Sequence, residues 1–152
     1  MKLKIANQYL EWNHHVKYLG IIFNYNLGFK KHIKITLQKV RGTRTALYPI
    51  IHHYSALPLA TRLAIYKIYL RPIILYASTI WRHLIGRHTW IKIEAFQNTT
   101  LRIITGAHYT ISNLNLLNST NIPPLQEEAL RLAKALQHKL SNSKFPHLSR
   151  LA

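Results

Sequence analysis

The chain has 152 residues, 48% of them hydrophobic, and sets 21 Lys and Arg against four acidic residues for a formal net charge of +17. That length suits one domain with a sizeable core, and the charge, well past the magnitude of about 2–8 that solubility needs, favours nucleic acid as partner, since cations that neutralise phosphates release condensed counterions. The acids are Glu11, Glu94, Glu127 and Glu128, with no Asp and no Cys, which excludes self-contained two-metal phosphoryl transfer, disulfides and Cys-ligated zinc.

In chain order, the first element predicted is a β-hairpin of two strands, Leu3–Leu10 and Val16–Phe23, joined by the polar turn Glu11–His15. Both strands are rich in β-branched and aromatic residues. An isolated ribbon is marginal in water, so this one must pack on the helices that follow or join a larger sheet, and the larger sheet is the favoured expectation. After the turn residues Asn24, Tyr25, Asn26 and Gly28, a helix is predicted from about Phe29 to His53, burying Ile33, Leu37, Val40, Leu47 and Ile51. At about 100° per residue, Lys30, Lys34 and Arg41 fall within roughly 40° of one another beside that stripe. They form a basic rail. Pro49 predicts a kink or an early end near Tyr48.

A second helix is predicted from Pro58 to about Leu84, bent or split because Pro72 cannot donate to the carbonyl of Ile68. Its aromatics Tyr66, Tyr69, Tyr76 and Trp81 are expected in the core. A third helix spans about Thr89 to Thr105, with Thr89 as N-cap and Gly106 just past its end. A short turn of helix is expected at Asn113–Leu117 after Ser112. Pro123 and Pro124 then open a last amphipathic helix with Leu125, Ala129, Leu132, Leu136 and Leu140 on its apolar face, Glu127 and Glu128 in its first turn and Lys139 near its end. The fold class is mainly α: an N-terminal β-hairpin followed by a bundle of about four helices.

The tandem pairs His14–His15 and His52–His53 are not expected to hold zinc, because neighbouring side chains diverge on a helix and alternate on a strand. Residues 1–15 lack the apolar core of a secretory signal. The most apolar stretch, Pro58 to Trp81, is interrupted by Arg62, Lys67 and Arg71, so no membrane span is expected. An intracellular place, nuclear or cytoplasmic, is the expectation.

Six strings carry a resemblance: VKYLGI at 16–21, HI at 32–33, LYPII at 47–51, LAIYKIYLRPIILYASTIW at 63–81, FQNTTLRIITGAHY at 96–109 and IPPLQEEA at 122–129. In this order and spacing they resemble the reverse transcriptase of non-LTR retrotransposons, jockey-like elements in particular, over about residues 10–135. The resemblance implies that residues 1–28 form a β-hairpin at the end of the palm that grips the primer, and residues 29–152 a helical, thumb-like domain. It places Lys17, Tyr18, Leu19 and Gly20 near the primer end. Lys30, Lys34 and Arg41, with Lys31 and Arg44 nearby, are the candidate phosphate contacts, which fix register and read no bases.

The resemblance also implies that the fingers and the palm with its Asp-Asp motif lie upstream in the same polyprotein. Mg²⁺ would belong to that palm, and this chain would bind no cofactor. Its part in an RNA-directed DNA polymerase would be to hold the template–primer duplex, without bond making of its own. Two positions depart from the family's pattern: Asn24 replaces a frequent acid and Phe29 a frequent Trp. The alternative is a stand-alone basic RNA- or DNA-binding or assembly module, which the charge supports equally.

Overall fold

A computed structural model describes residues 13–142 together with the backbone of two short strands, β1 (Lys4–Ile5) and β2 (Gln8–Tyr9). The rest of the predicted first strand, Glu11 and Trp12 of the predicted turn, and residues 143–152 lie outside the described residues. The fold is mainly helical after an N-terminal hairpin, as the sequence predicts.

The hairpin itself is placed differently. Its strands are β3 (His15–Tyr18) and β4 (Ile21–Asn24), paired antiparallel with Tyr18 opposite Ile21 and His15 opposite Asn24. The predicted second strand therefore folds back on itself, and β1 pairs with β2 instead. The reason is the turn at Leu19 and Gly20, whose φ angles of 46° and 81° are both left-handed. Glycine takes such angles freely, and two in succession give the backbone twist that a two-residue hairpin needs.

Asn24 closes the next turn by accepting the Gly28 N–H on Oδ1 at 2.5 Å, and Phe29 is buried edge-on to Phe23 at 5.6 Å. Helix α1 (Lys30–Ile51) follows and buries Ile33, Leu37, Val40 and Ile51. It runs through Pro49 without stopping at Tyr48. A proline in the last turn removes one donor, and the His52 N–H still reaches the Tyr48 carbonyl at 3.0 Å.

The segment after Pro58 is split, as Pro72 predicts, into α2 (Leu59–Ile65), a π turn (Tyr66–Leu70), α3 (Arg71–Leu75) and α4 (Ser78–Trp81). The hydrogen-bond ladder widens in the turn just ahead of Pro72. A second break, absent from the sequence reading, falls at Ala77, whose φ is 52°. Tyr66 and Trp81 are fully buried, but Tyr69 and Tyr76 face solvent, which corrects the expectation of four core aromatics.

Helix α5 (Arg87–Thr105) is the central element and packs against α1, α2, α6 and α7. Its N-cap is Gly86. Thr89 lies a turn further in, donating its backbone N–H to the Gly86 carbonyl, while Gly106 ends the helix at φ 73° as expected. Ser112 caps α6 (Asn113–Thr120) by accepting the Asn115 N–H, and α7 (Leu125–Ser141) follows Pro124. The short connecting helices raise the number of helices above the four expected. No helix among the described residues is long and apolar enough to cross a membrane.

Candidate nucleic-acid interface

The hairpin lies against one flank of α1 and reaches Tyr76 just past α3, anchored by Ile21 in the core. Between them opens a cleft of about 670 Å³ whose walls include Lys17 and Gly20 from the hairpin, His32 and Lys39 from α1, and Tyr76 beyond α3. The Tyr76 hydroxyl donates to the Leu19 carbonyl at 2.8 Å, tying the hairpin turn to the helices. A Cβ on Gly20 would lie 3.4 Å from the Tyr76 ring, a tolerable contact, so it is the left-handed φ of 81° that favours glycine there. Burial lowers the pKa of His32, so the cleft wall carries a neutral imidazole near neutral pH, and the cations there are Lys17 and Lys39. On the outside, β3 exposes all four of its residues, and Tyr18 and Leu19 are 65% and 71% exposed.

The predicted site residues do not form one patch. Lys17 and Gly20 line the cleft, whereas Tyr18 and Leu19 are exposed and are not among its lining residues. Lys30, Lys31, Lys34 and Arg41 are exposed on α1, but the rail of Lys30, Lys34 and Arg41 points roughly 170° around the helix from His32 and Lys39, at about 100° per residue. The core stripe of α1 separates the two. Arg44 is half-buried between helices, its guanidinium 5.0 Å from the Phe96 ring centre and Nη1 3.4 Å from Thr100 Oγ1. Burial first, and Arg41 second, lower its pKa. Lys39 and Tyr76 were missed by the sequence reading. Helical phase sets Lys39 off the rail, and what brings it opposite Lys17 is the docking of the hairpin.

Three other arginines are joints of the fold. Arg62 is buried and its Nη1 donates to the carbonyls of His52 at 3.1 Å and Ile104 at 2.7 Å, closing the C-terminal ends of α1 and α5 at once. Arg102 donates to the carbonyls of His108 and Ile111, both at 2.8 Å, fixing the loop after α5. Arg71 reaches the Pro123 carbonyl at 3.3 Å and lies 3.8 Å from Glu128, which also pairs with Arg131. The Arg131 hydrogen bond is the main cause holding the Glu128 carboxyl below its ordinary pKa. Glu128 is thus more than a helix-start residue.

Glu94 accepts the Gln126 N–H at 2.8 Å, so α5 supplies the cap that prolines deny to the start of α7. Burial raises its pKa against the opposing backbone hydrogen bonds. No acidic residue occurs between Glu11 and Glu94, so the hairpin, α1, α2 and α3 offer cations and histidines alone as charged or titratable surface groups besides tyrosine.

The histidine pair His52–His53 also departs from expectation. His52 leaves the helix with extended backbone, φ −63° and ψ 147°, and the two rings do not diverge but lie 4.3 Å apart. Tyr48 joins this group at 4.7 Å from His52, and Tyr54 at 3.8 Å from His53.

Comparison with known proteins agrees with the motif reading. The "Probable RNA-directed DNA polymerase from transposon X-element" of Drosophila melanogaster is 29% identical over 136 residues, covering 90% of this chain and 14% of the relative. The chain resembles a segment of a jockey-like non-LTR reverse transcriptase. The probable polymerase from transposon BS of the same fly is 28% identical over 115 residues, covering 76% of this chain and 13% of its own length. The RNA-directed DNA polymerase from mobile element jockey of Drosophila funebris is 25% identical over 138 residues, 91% of this chain and 15% of the relative. This chain therefore spans about a seventh of the jockey-like polymerases it matches. No family profile and no solved structure matches it.

Proposed function

We propose that this chain is a nucleic-acid-holding part of a non-LTR retrotransposon reverse transcriptase, with residues 1–28 continuing a palm and residues 29–152 acting as a thumb. The observation that carries the reading is the cleft of Lys17 and Lys39, free of acidic neighbours, within a sequence similar to RNA-directed DNA polymerases. Lysines on both walls of a cleft neutralise phosphates without reading bases, which suits an enzyme that must accept any template–primer. The fully exposed strand β3 supports the hairpin's membership of a larger sheet, since an unpaired edge with both faces open gains most from a neighbour.

Catalysis belongs to residues beyond this chain. Among the described residues no group of three or more His, Cys, Asp or Glu could hold a metal ion. Glu94 and Glu128 are engaged by the start of α7 and by arginines. The described residues therefore do not fit the Mg²⁺ site that a polymerase requires, and on this reading the chain's contribution is positioning.

The test adds the chain to a separate palm-and-fingers protein and measures primer extension on an RNA template. Restored extension is the expected result. Substituting Lys17→Gln and Lys39→Gln together should weaken binding of a template–primer duplex and shallow the salt dependence by about 0.9 per lost contact. A chain that binds duplex with an unchanged salt slope in this variant, and restores no extension, is a stand-alone binding or assembly module instead.

A further inference from the structure

The basic rail of α1 does not end at Arg41. Tyr48 follows seven residues later on the same line, and at about 100° per residue Lys30, Lys34, Arg41 and Tyr48 stay within roughly 40° of one another. From Lys30 to Tyr48 the line is about 27 Å long at 1.5 Å per residue. At its far end the rings of Tyr48, His52, His53 and Tyr54 fan out against one another, with successive centroids 3.8–4.7 Å apart and tilts of 41–42°. Tyr54 closes the fan. Its ring lies tilted 3.8 Å from His53 and 5.2 Å from His52, and the residue is 84% exposed. Tyr48 is 44% exposed.

A core role does not explain this group, because the outermost ring buries little. Its position at the end of a cation line, on the flank of α1 away from the cleft, has a different use. Phosphates along the line would leave the bases free to meet exposed rings, and stacking on aromatic side chains accepts any base but needs one that is not already stacked in a duplex.

Resting on the nucleic-acid reading above, we propose that Lys30, Lys34, Arg41, Tyr48 and Tyr54 form a track for single-stranded nucleic acid, with phosphates on the cations and an unpaired base on the Tyr54 ring. The track and the cleft lie on opposite flanks of α1. A paired region and its single-stranded extension can therefore be held by one helix at the same time.

Fluorescence anisotropy of the full chain with labelled single-stranded DNA, single-stranded RNA and blunt duplex, each about 12 nucleotides long and within the site sizes of single-strand binders, tests this. Tyr48→Ala with Tyr54→Ala should lower affinity for one or both single strands by roughly tenfold, the low end of one to two lost base stacks. Duplex affinity and the salt slope should stay unchanged. Lys30→Gln, Lys34→Gln and Arg41→Gln together should reduce the single-strand salt slope by about 0.7 per contact. Far-UV circular dichroism confirms that each variant keeps its helices. Equal loss for duplex and single strands, or loss for neither, overturns the track. If duplex binding still responds to Lys17 and Lys39 in that case, the wider reading survives, whereas a chain that binds neither form defeats both.

Discussion

The helical core and the hairpin treat their polar groups in opposite ways. Around α5 one set of polar side chains points inward and is paired: the Tyr66 hydroxyl donates to Gln97 Oε1 at 2.7 Å, and Gln97 Nε2 donates to the Pro123 carbonyl at 3.1 Å. Burial pushes the Tyr66 phenol well above its ordinary pKa, so it stays a donor. On the hairpin and the flanks of α1 the cations Lys17, Lys30, Lys34, Lys39 and Arg41 are turned to water. Arg62 and Arg102 each bond two carbonyls and serve as joints, a task that suits the planar guanidinium. The high net charge is thus two populations, of which the outer one is available to a partner.

The hardest test of this contrast is Arg62→Met. It removes charged hydrogen bonds to two helix ends, each worth about 1.5–3 kcal/mol, so the chain should lose on the order of 3 kcal/mol of stability in denaturant unfolding. Whatever remains folded should bind duplex as before. A loss below about 0.5 kcal/mol, the range of ordinary surface changes, would place Arg62 among the outer cations.

Gly20→Ala acts on the other region. Its left-handed φ of 81° penalises a side chain by about 1–2 kcal/mol, concentrated in the turn. Amide exchange in β3 and β4 should accelerate while protection of α5 persists, because the hairpin is a separate, weaker unit. Parallel loss of protection in both would make hairpin and core one cooperative body.

The smallest effect falls where the regions meet. Burial holds the His32 pKa below 6.5, so the folded chain binds fewer protons there than the unfolded one. Its contribution is unaffected above that value and turns destabilising as pH falls below it. Between about pH 7.5 and 5.5 the wild type should lose stability relative to His32→Gln, by less than a tenfold change in the unfolding constant per pH unit. A variant that tracks the wild type at both pH values would remove His32 from the joint.

Much was legible in the sequence because it depends on neighbours along the chain. The stripe of Ile33, Leu37 and Val40, the split ahead of Pro72, the cap at Ser112 and the stop at Gly106 follow from local periodicity, a missing donor or a permitted φ. The hairpin was misread because strand propensity runs evenly from Val16 to Phe23, and only the left-handed pair at Leu19 and Gly20 reveals the fold-back. Thr89 was preferred as a cap for its side chain, yet Gly86 holds that place.

Composition and spacing determined a mainly helical, acid-poor, cationic chain, and six quoted strings carried its resemblance to part of a reverse transcriptase. Tertiary structure decided which cations face solvent and which join helices. Whether Arg44 and Arg62 join helices, whether Lys39 meets Lys17, and whether two adjacent histidines gather with Tyr48 and Tyr54 depends on contacts between residues far apart in sequence or on one residue leaving its helix. Local sequence carries the helical phase of such a side chain, but not what stands opposite it.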